Sequence, residues 1–223
     1  MLHTVIFDMD GLLIDSEPLW GEAMNEVFSG MGIHLGREQF ALTTGLRTNE
    51  VVDYWYHHLG WEEKTPAIVT QEIVELVTRK ILDQGNPMDG LEYILEFFKA
   101  RDFKIGLASS SPMALIISVL EHIHIRSYFQ AVYSAEYEDY GKPHPAVYLA
   151  CARELGSKPL ECIVFEDSVT GLIAAKAARM KTVAVPEAHR RSDPRYVLAD
   201  MRLDSLKAFT EKSLHELEGN SIA

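Results

Sequence analysis

A short apolar run that ends in two carboxylates constrains this chain more than any other feature. Thr4-Val5-Ile6-Phe7 is β-branched and aromatic, as a buried strand requires, and Asp8-Met9-Asp10-Gly11 follows at once. Gly11 lets the chain turn sharply. In a parallel α/β sheet, ligands sit at the carboxyl ends of the strands. Successive strand residues point to opposite faces. A strand that stops at Asp8, however, leaves Asp10 on the turn, free to swing over the same pocket. Two carboxylates held together repel, and the pair is tolerable only if one keeps a proton or a cation lies between them. The pattern points to a metal-assisted reaction with one carboxylate as nucleophile and the other as acid and base. Two solvated turn aspartates are the alternative reading.

Other strand ends carry similar chemistry. Lys104-Ile105-Gly106-Leu107-Ala108 runs into Ser109-Ser110-Ser111, and Cys162-Ile163-Val164-Phe165 runs into Glu166-Asp167-Ser168. A weaker strand around Ala131-Val132-Tyr133 leads through an acidic loop to Gly141-Lys142-Pro143. Each is followed by a helical pattern, such as Met113, Ile116, Ile117 and Leu120 at helical spacing. Strands alternating with helices of this length predict an α/β fold with a doubly wound parallel sheet. Its carboxyl edge then gathers Asp8, Asp10, Ser109, Lys142, Glu166 and Asp167, more charge than structure alone explains.

In order and spacing, Asp8-Met9-Asp10-Gly11, Ser109, Lys142 in Gly141-Lys142-Pro143, and Glu166-Asp167-Ser168 with Gly171 resemble the four motifs of the haloacid dehalogenase superfamily. The resemblance runs from about Val5 to Pro186. The stretch from Asp8 to Trp20 is similar to the β-phosphoglucomutase-like branch, and within it to bacterial phosphatases of hexitol phosphates and 2-deoxyglucose 6-phosphate. The resemblance implies a Rossmann-like core with an inserted helical cap, and phosphoryl transfer through an aspartyl-phosphate. Asp8 is then the nucleophile and Asp10 the general acid that later deprotonates water. Mg2+ is implied as cofactor, held by Asp8, the backbone carbonyl of Asp10 and Asp167, with Glu166 beside it orienting a metal-bound water. Lys142 and Ser109, with Ser110 and the amides that open the next helix, face the phosphoryl oxygens.

Between the first strand and the rest of the α/β pattern the periodicity turns helical and stays so. Trp20, Met24, Val27, Phe28 and Met31 share one face; Val51, Val52, Trp55 and Leu59 share a second; Val69, Ile73, Val77 and Ile81 share a third. The insert is too long for an ordinary connection. It reads either as an excursion packed on the sheet or as a lid hinged near Ile14–Ser16 and Gln84–Gly90. The resemblance favours the lid, with residues 1–15 and 88–223 as the core and 16–87 as the cap. Thr44-Gly45-Leu46-Arg47-Thr48 resembles the cap loop that reaches the substrate. Gly45 and Arg47 are the substrate contacts it implies there, Arg47 holding a phosphate or a sugar hydroxyl or else being an exposed arginine entering a helix. Glu17 and Trp20 line the entrance, or Trp20 is simply an anchor of the cap.

Composition sets outer bounds. A net charge of −12 on 223 residues argues against nucleic acid and anionic membranes, but not against a small phosphorylated ligand held locally. The nine histidines show no metal-ligand spacing, and His189 beside Arg190-Arg191 reads as solvated. Cys151 and Cys162 read as buried free thiols. With no apolar run of membrane length and a strand starting almost at the first residue, a cytoplasmic, monomeric protein is expected. The implied partner is a small phosphorylated sugar or sugar alcohol. A hexose-phosphate mutase and a non-catalytic sugar-phosphate sensor are the alternatives to a phosphohydrolase. The intact acidic set disfavours the sensor. Trp20 and Pro112-Met113, where β-phosphoglucomutases tend to carry histidine and Lys-Asn, disfavour the mutase. Met88-Asp89-Gly90, where relatives often have Pro-Gly, is a departure at the cap exit.

Overall fold

A computed structural model describes residues 1–219. The strands β1 (Thr4–Phe7), β2 (Lys104–Ser109), β3 (Ala131–Ser134), β4 (Cys162–Glu166), β5 (Lys181–Ala184) and β6 (Met201–Arg202) form one parallel sheet in the order β3-β2-β1-β4-β5-β6. All four β1 residues are buried because both faces of this strand are covered. Val5 and Phe7 face a cluster of aromatic rings, with Phe7 5.1 Å from Phe165 and Phe165 5.1 Å from Phe209. Ile6 packs on the other side with Val147, Tyr148 and Val164. The register sets Phe7 beside both Leu107 and Phe165, so Asp8 leaves β1 level with Glu166 while β2 runs on to Ser109. The order of connections reverses between β1 and β4, the crevice where open α/β sheets bind ligands.

The helical insert consists of α1 (Glu17–Gly30), α2 (Arg37–Phe40), α3 (Thr48–Leu59) and α4 (Pro66–Gln84). Pro66 opens α4, and the Thr65 hydroxyl accepts from the Ile68 amide, a start that needs no intrahelical donor. The four-residue spacing of Val69, Ile73, Val77 and Ile81 buries one side of α4 against α1 and α3. Two short chain segments join the insert to the sheet. They pair with each other: the Met88 amide donates to the Leu13 carbonyl at 2.9 Å and the Asp15 amide to the Asn86 carbonyl at 2.9 Å. After them come α5 (Leu91–Lys99), α6 (Met113–His122), α7 (Ala146–Glu154), α8 (Val169–Ala177) and α9 (Glu211–Gly219).

Near the end of the chain, Lys181–Ala184 is a full interior strand, paired with β4 and β6. Leu206 and Phe209 lie in a short turn before α9. The reason is local: Thr210 and Ser213 exchange side-chain and amide hydrogen bonds and start the helix only there.

Candidate active site

Lys142 is the centre of the crevice. Its ammonium is almost fully buried and donates to Asp8 Oδ1 at 2.7 Å and Glu166 Oε1 at 2.5 Å. Asp8 follows β1 and Glu166 ends β4, so level strand ends bring the two carboxylates to one cation. Glu166 is saturated by the protein. Oε1 also accepts from the Tyr148 hydroxyl at 2.6 Å, and Oε2 accepts from the Ser168 amide at 3.0 Å and hydroxyl at 2.9 Å. These donors and Lys142 hold its carboxyl below the usual carboxylate range despite complete burial. Gly171 in α8 lies against this carboxylate so closely that any Cβ there would overlap it.

Asp10 is held from a different direction. Its Oδ1 accepts from the Ser16 hydroxyl at 2.7 Å and the Trp20 indole N–H at 2.8 Å, and its Oδ2 accepts from the Ser111 hydroxyl at 2.7 Å. Three donors from the start of α1 and the end of β2 aim this side chain without touching Lys142. Gly11, at φ +70, turns the chain where a Cβ would stand 2.6 Å from Asp167 Oδ2. Ser109 is buried, and its hydroxyl accepts from the Ser111 amide at 3.0 Å.

The acidic residues outnumber their cation. Carboxylate oxygens of Asp8, Glu166 and Asp167 lie within 4.8 Å of one another, all buried. Glu166 and Lys142 form the settled ion pair. Burial pushes Asp8 up to about 8 even with Lys142 beside it, and burial together with Glu166, Glu17 and Asp8 raises Asp167 well above its ordinary value. Two buried carboxylates that resist ionisation beside a third that is ionised are a hard, oxygen-rich donor set in need of a second cation. The residues present therefore fit a small divalent metal. Asp8 and Asp167 have ligand capacity to spare, while Glu166 is committed to Lys142, Tyr148 and Ser168.

The insert closes over this site through its 43–47 loop. The Ser110 hydroxyl donates to the Gly45 carbonyl at 2.9 Å, the Thr170 hydroxyl to the Thr44 carbonyl at 3.1 Å, and Arg190 Nη2 to the Thr44 hydroxyl at 2.9 Å. Gly45, at φ +84, comes so near the sheet side that a Cβ would stand 2.9 Å from the Ser168 hydroxyl. Below the loop lies a cavity of about 640 Å3, ample for a sugar phosphate, lined by Asp8, Asp10, Glu17, Trp20, Ser109 and Lys142 among others. Glu17 is pushed up to about 7 by burial and by Asp10, with Arg190 opposing.

Arg47 corrects the expectation of a substrate contact. Its guanidinium turns away from the cavity and donates to the carbonyls of Ala135 at 3.2 Å, Glu138 at 2.7 Å and Asp139 at 3.3 Å, and to Glu50 at 2.7 Å. It clasps the loop that precedes Lys142, and Gly141 leaves room for it. Lysine cannot match a planar fork to several carbonyls. Arg47→Lys is therefore expected to cost about 1–3 kcal/mol in denaturant unfolding, although the charge is kept. An unchanged midpoint would show that the clasp is incidental.

Comparison with known proteins agrees with this geometry. The sequence profile of the haloacid dehalogenase-like hydrolases matches residues 5–185. The chain belongs to that family. Hexitol phosphatase B of Escherichia coli strain K12 is 44% identical over 214 residues, covering 94% of this chain and 95% of that protein. A fructose-1-phosphate phosphatase of the same organism is 32% identical over 181 residues, 81% of this chain and 95% of its own length. A crystal structure of β-phosphoglucomutase from Clostridium difficile superimposes with a TM-score of 0.85, covering 98% of both chains at 24% identity, and speaks to the fold alone. No helix among the described residues of this haloacid dehalogenase-like hydrolase is long and apolar enough to cross a membrane.

Several residues of the site escaped sequence reading. Ser111 precedes α6, which has no side-chain cap, and its hydroxyl goes to Asp10. Ser16 and Tyr148 gave no signal, since a hydroxyl in a helical run has many ordinary uses. Trp20 is more than an entrance or an anchor, because its indole N–H fixes Asp10. Arg190 lay in a stretch read as solvated and lines the cavity.

Proposed function

We propose that the chain is a Mg2+-dependent phosphohydrolase that removes phosphate from small phosphorylated sugars or sugar alcohols. The observation that carries this is Asp8 held by Lys142 at 2.7 Å, beside an Asp10 aimed by three donors of its own. The names of the sugar-phosphate phosphatases it is similar to support the substrate class.

Asp8 attacks phosphorus through a carboxylate oxygen, and the P–O bond to the sugar breaks in line with it. Asp10 gives its proton to the departing sugar oxygen, then takes one from the water that attacks the aspartyl-phosphate, releasing inorganic phosphate and restoring Asp8. Lys142 meets the charge on the equatorial phosphoryl oxygens, and Ser109 stands beside them as a hydrogen-bond donor. Mg2+, held by Asp8, Asp167 and the Asp10 carbonyl, supplies further neutralisation of that charge when bound. Residues 16–87 act as the cap over a core of 1–15 and 88–223, excluding water other than the attacking molecule.

The mutase reading needs a cation to grip a second phosphate. Arg47, the cap candidate for it, is committed to carbonyls of the 135–139 loop. Phosphate release from a panel of sugar and hexitol phosphates, with and without Mg2+, tests the proposal, with isomerisation of β-glucose 1-phosphate assayed alongside. Release from 6-phosphorylated hexoses or hexitols that stops in chelator is the expected result. Full activity in chelator, or isomerisation outpacing release, would overturn it.

A further inference from the structure

Glu17 and Arg190 remain unused by the chemistry above. Glu17 opens α1 and lines the cavity from the side of the insert. Arg190 lines it from the loop after β5, on the side of the sheet. The positive charge of Arg190 opposes the upward push on the Glu17 carboxyl, and among the described residues no hydrogen bond or ion pair joins the two. Arg190 is instead tied at its far sides, to the Thr44 hydroxyl at 2.9 Å and to Glu187 at 3.7 Å. An acceptor and a donor thus line one cavity without bonding to each other. Such a pair suits a group that both donates and accepts, and a hydroxyl does both.

Charge narrows the choice of ligand. Around Arg190 the cavity wall carries Glu17, Glu187 and Asp193, and the nearby Arg195 is paired with Asp193 at 2.6 Å. With Arg190 held to Glu187 and Arg195 to Asp193, neither arginine is left free to neutralise a second phosphate or a carboxylate placed there. A neutral polyhydroxyl tail needs no such neutralisation. Resting on the phosphohydrolase reading, we infer that Glu17 and Arg190 are the specificity-determining pair for the tail of the substrate, selecting an uncharged polyol or sugar chain on a monophosphate. Glu17 accepts from a tail hydroxyl and Arg190 donates to the same or the neighbouring one. A site that hydrogen-bonds a substrate hydroxyl discriminates strongly against analogues lacking it, because its own polar groups are then left without partners.

The test compares the wild type with Glu17→Gln, Arg190→Gln and Arg190→Lys on sorbitol 6-phosphate, phenyl phosphate and glucose 1,6-bisphosphate. The expected result is a loss of tenfold or more in kcat/KM on sorbitol 6-phosphate for Glu17→Gln and Arg190→Gln, carried mainly by KM. On phenyl phosphate, which has no hydroxyl to lose, the change stays within about threefold. Arg190→Lys falls between Arg190→Gln and the wild type on sorbitol 6-phosphate. Thr44→Val separates recognition from closure, since it removes the bond to the insert and leaves the guanidinium; it keeps the wild-type ranking of substrates. Equal losses on sorbitol 6-phosphate and phenyl phosphate overturn the inference, as does a Thr44→Val enzyme with the ranking of Arg190→Gln. A wild type that prefers the bisphosphate overturns it as well, by assigning Arg190 to a phosphate. A wild type that hydrolyses phenyl phosphate but no hydroxylated monophosphate overturns the inference alone, whereas one that releases phosphate from none of the three defeats the phosphohydrolase reading itself.

Discussion

Asp8→Asn is expected to lose at least ~100-fold in turnover, because an amide oxygen cannot form a stable acyl-phosphate. The same variant gives a second, opposite reading in chelator. Burial pushes Asp8 up to about 8, so in the metal-free protein its ionised form is the costly one. A carboxyl raised above its unfolded value contributes stability below about pH 4, and that contribution is lost as pH rises toward 8. The metal-free wild type should therefore weaken over that range. Asp8→Asn removes the slope and should be more stable at pH 8 by on the order of 1–3 kcal/mol. Adding Mg2+ reverses the order, since metal binds the ionised carboxylate better than the amide and stabilises the wild type more. Denaturant unfolding at pH 5.5 and pH 8, with and without Mg2+, reads all three statements. A variant that is less stable than the wild type in chelator at pH 8 would show that Lys142 alone satisfies Asp8.

The crossing of activity and stability follows from how unevenly the strand ends are neutralised, and that is where sequence reading stopped. The strand ends themselves were legible. Val5-Ile6-Phe7, Ile105–Ala108 and Ile163–Phe165 are apolar runs closed by polar residues, and a parallel sheet has to bring such ends level. Level ends are enough to predict that Asp8, Glu166 and Asp167 meet, whereas Lys142 arrives on the loop that follows β3. How their charges divide depends on long-range partners. Tyr148 reaches Glu166 from the first turn of α7, on a buried face. Its hydroxyl, with Ser168, makes Glu166 the fixed counter-ion of Lys142 while its carboxylate still lies within 4.8 Å of Asp8 and Asp167. Arg47 was open to two readings because an arginine entering a helix looks the same whether it meets a ligand or the carbonyls of a loop far along the chain. Arg190 was invisible for a plainer reason: β5 is short, and without it the loop that follows has no place in the fold.

Lys142→Met tests that division of charge directly. Methionine fills nearly the same volume and removes only the ammonium. Asp8 and Glu166 are then left buried with no cation between them, and breaking a buried pair in this way costs about 3–5 kcal/mol. Turnover should fall by ~100–1000-fold, because the phosphoryl oxygens lose a fixed donor that needs no reorganisation. The pH dependence identifies the cause. In the wild type the charge of Lys142 is the largest of the forces that lower Glu166, so the pair stabilises the fold above the ordinary carboxylate range. In the variant that force is gone while burial remains, and Glu166 is expected to titrate above its ordinary value. A carboxyl raised in the folded state favours the fold at low pH and works against it as pH rises through the new value. The cost of Lys142→Met should therefore be larger at pH 8 than at pH 5.5, and Mg2+ should recover part of it by binding Asp8 and Asp167. An equal cost at both pH values would mean that the loss comes from packing around the side chain. The settled ion pair would then be Lys142 with neither carboxylate, and the surplus negative charge that makes a second cation necessary at this strand edge would have to be sought elsewhere.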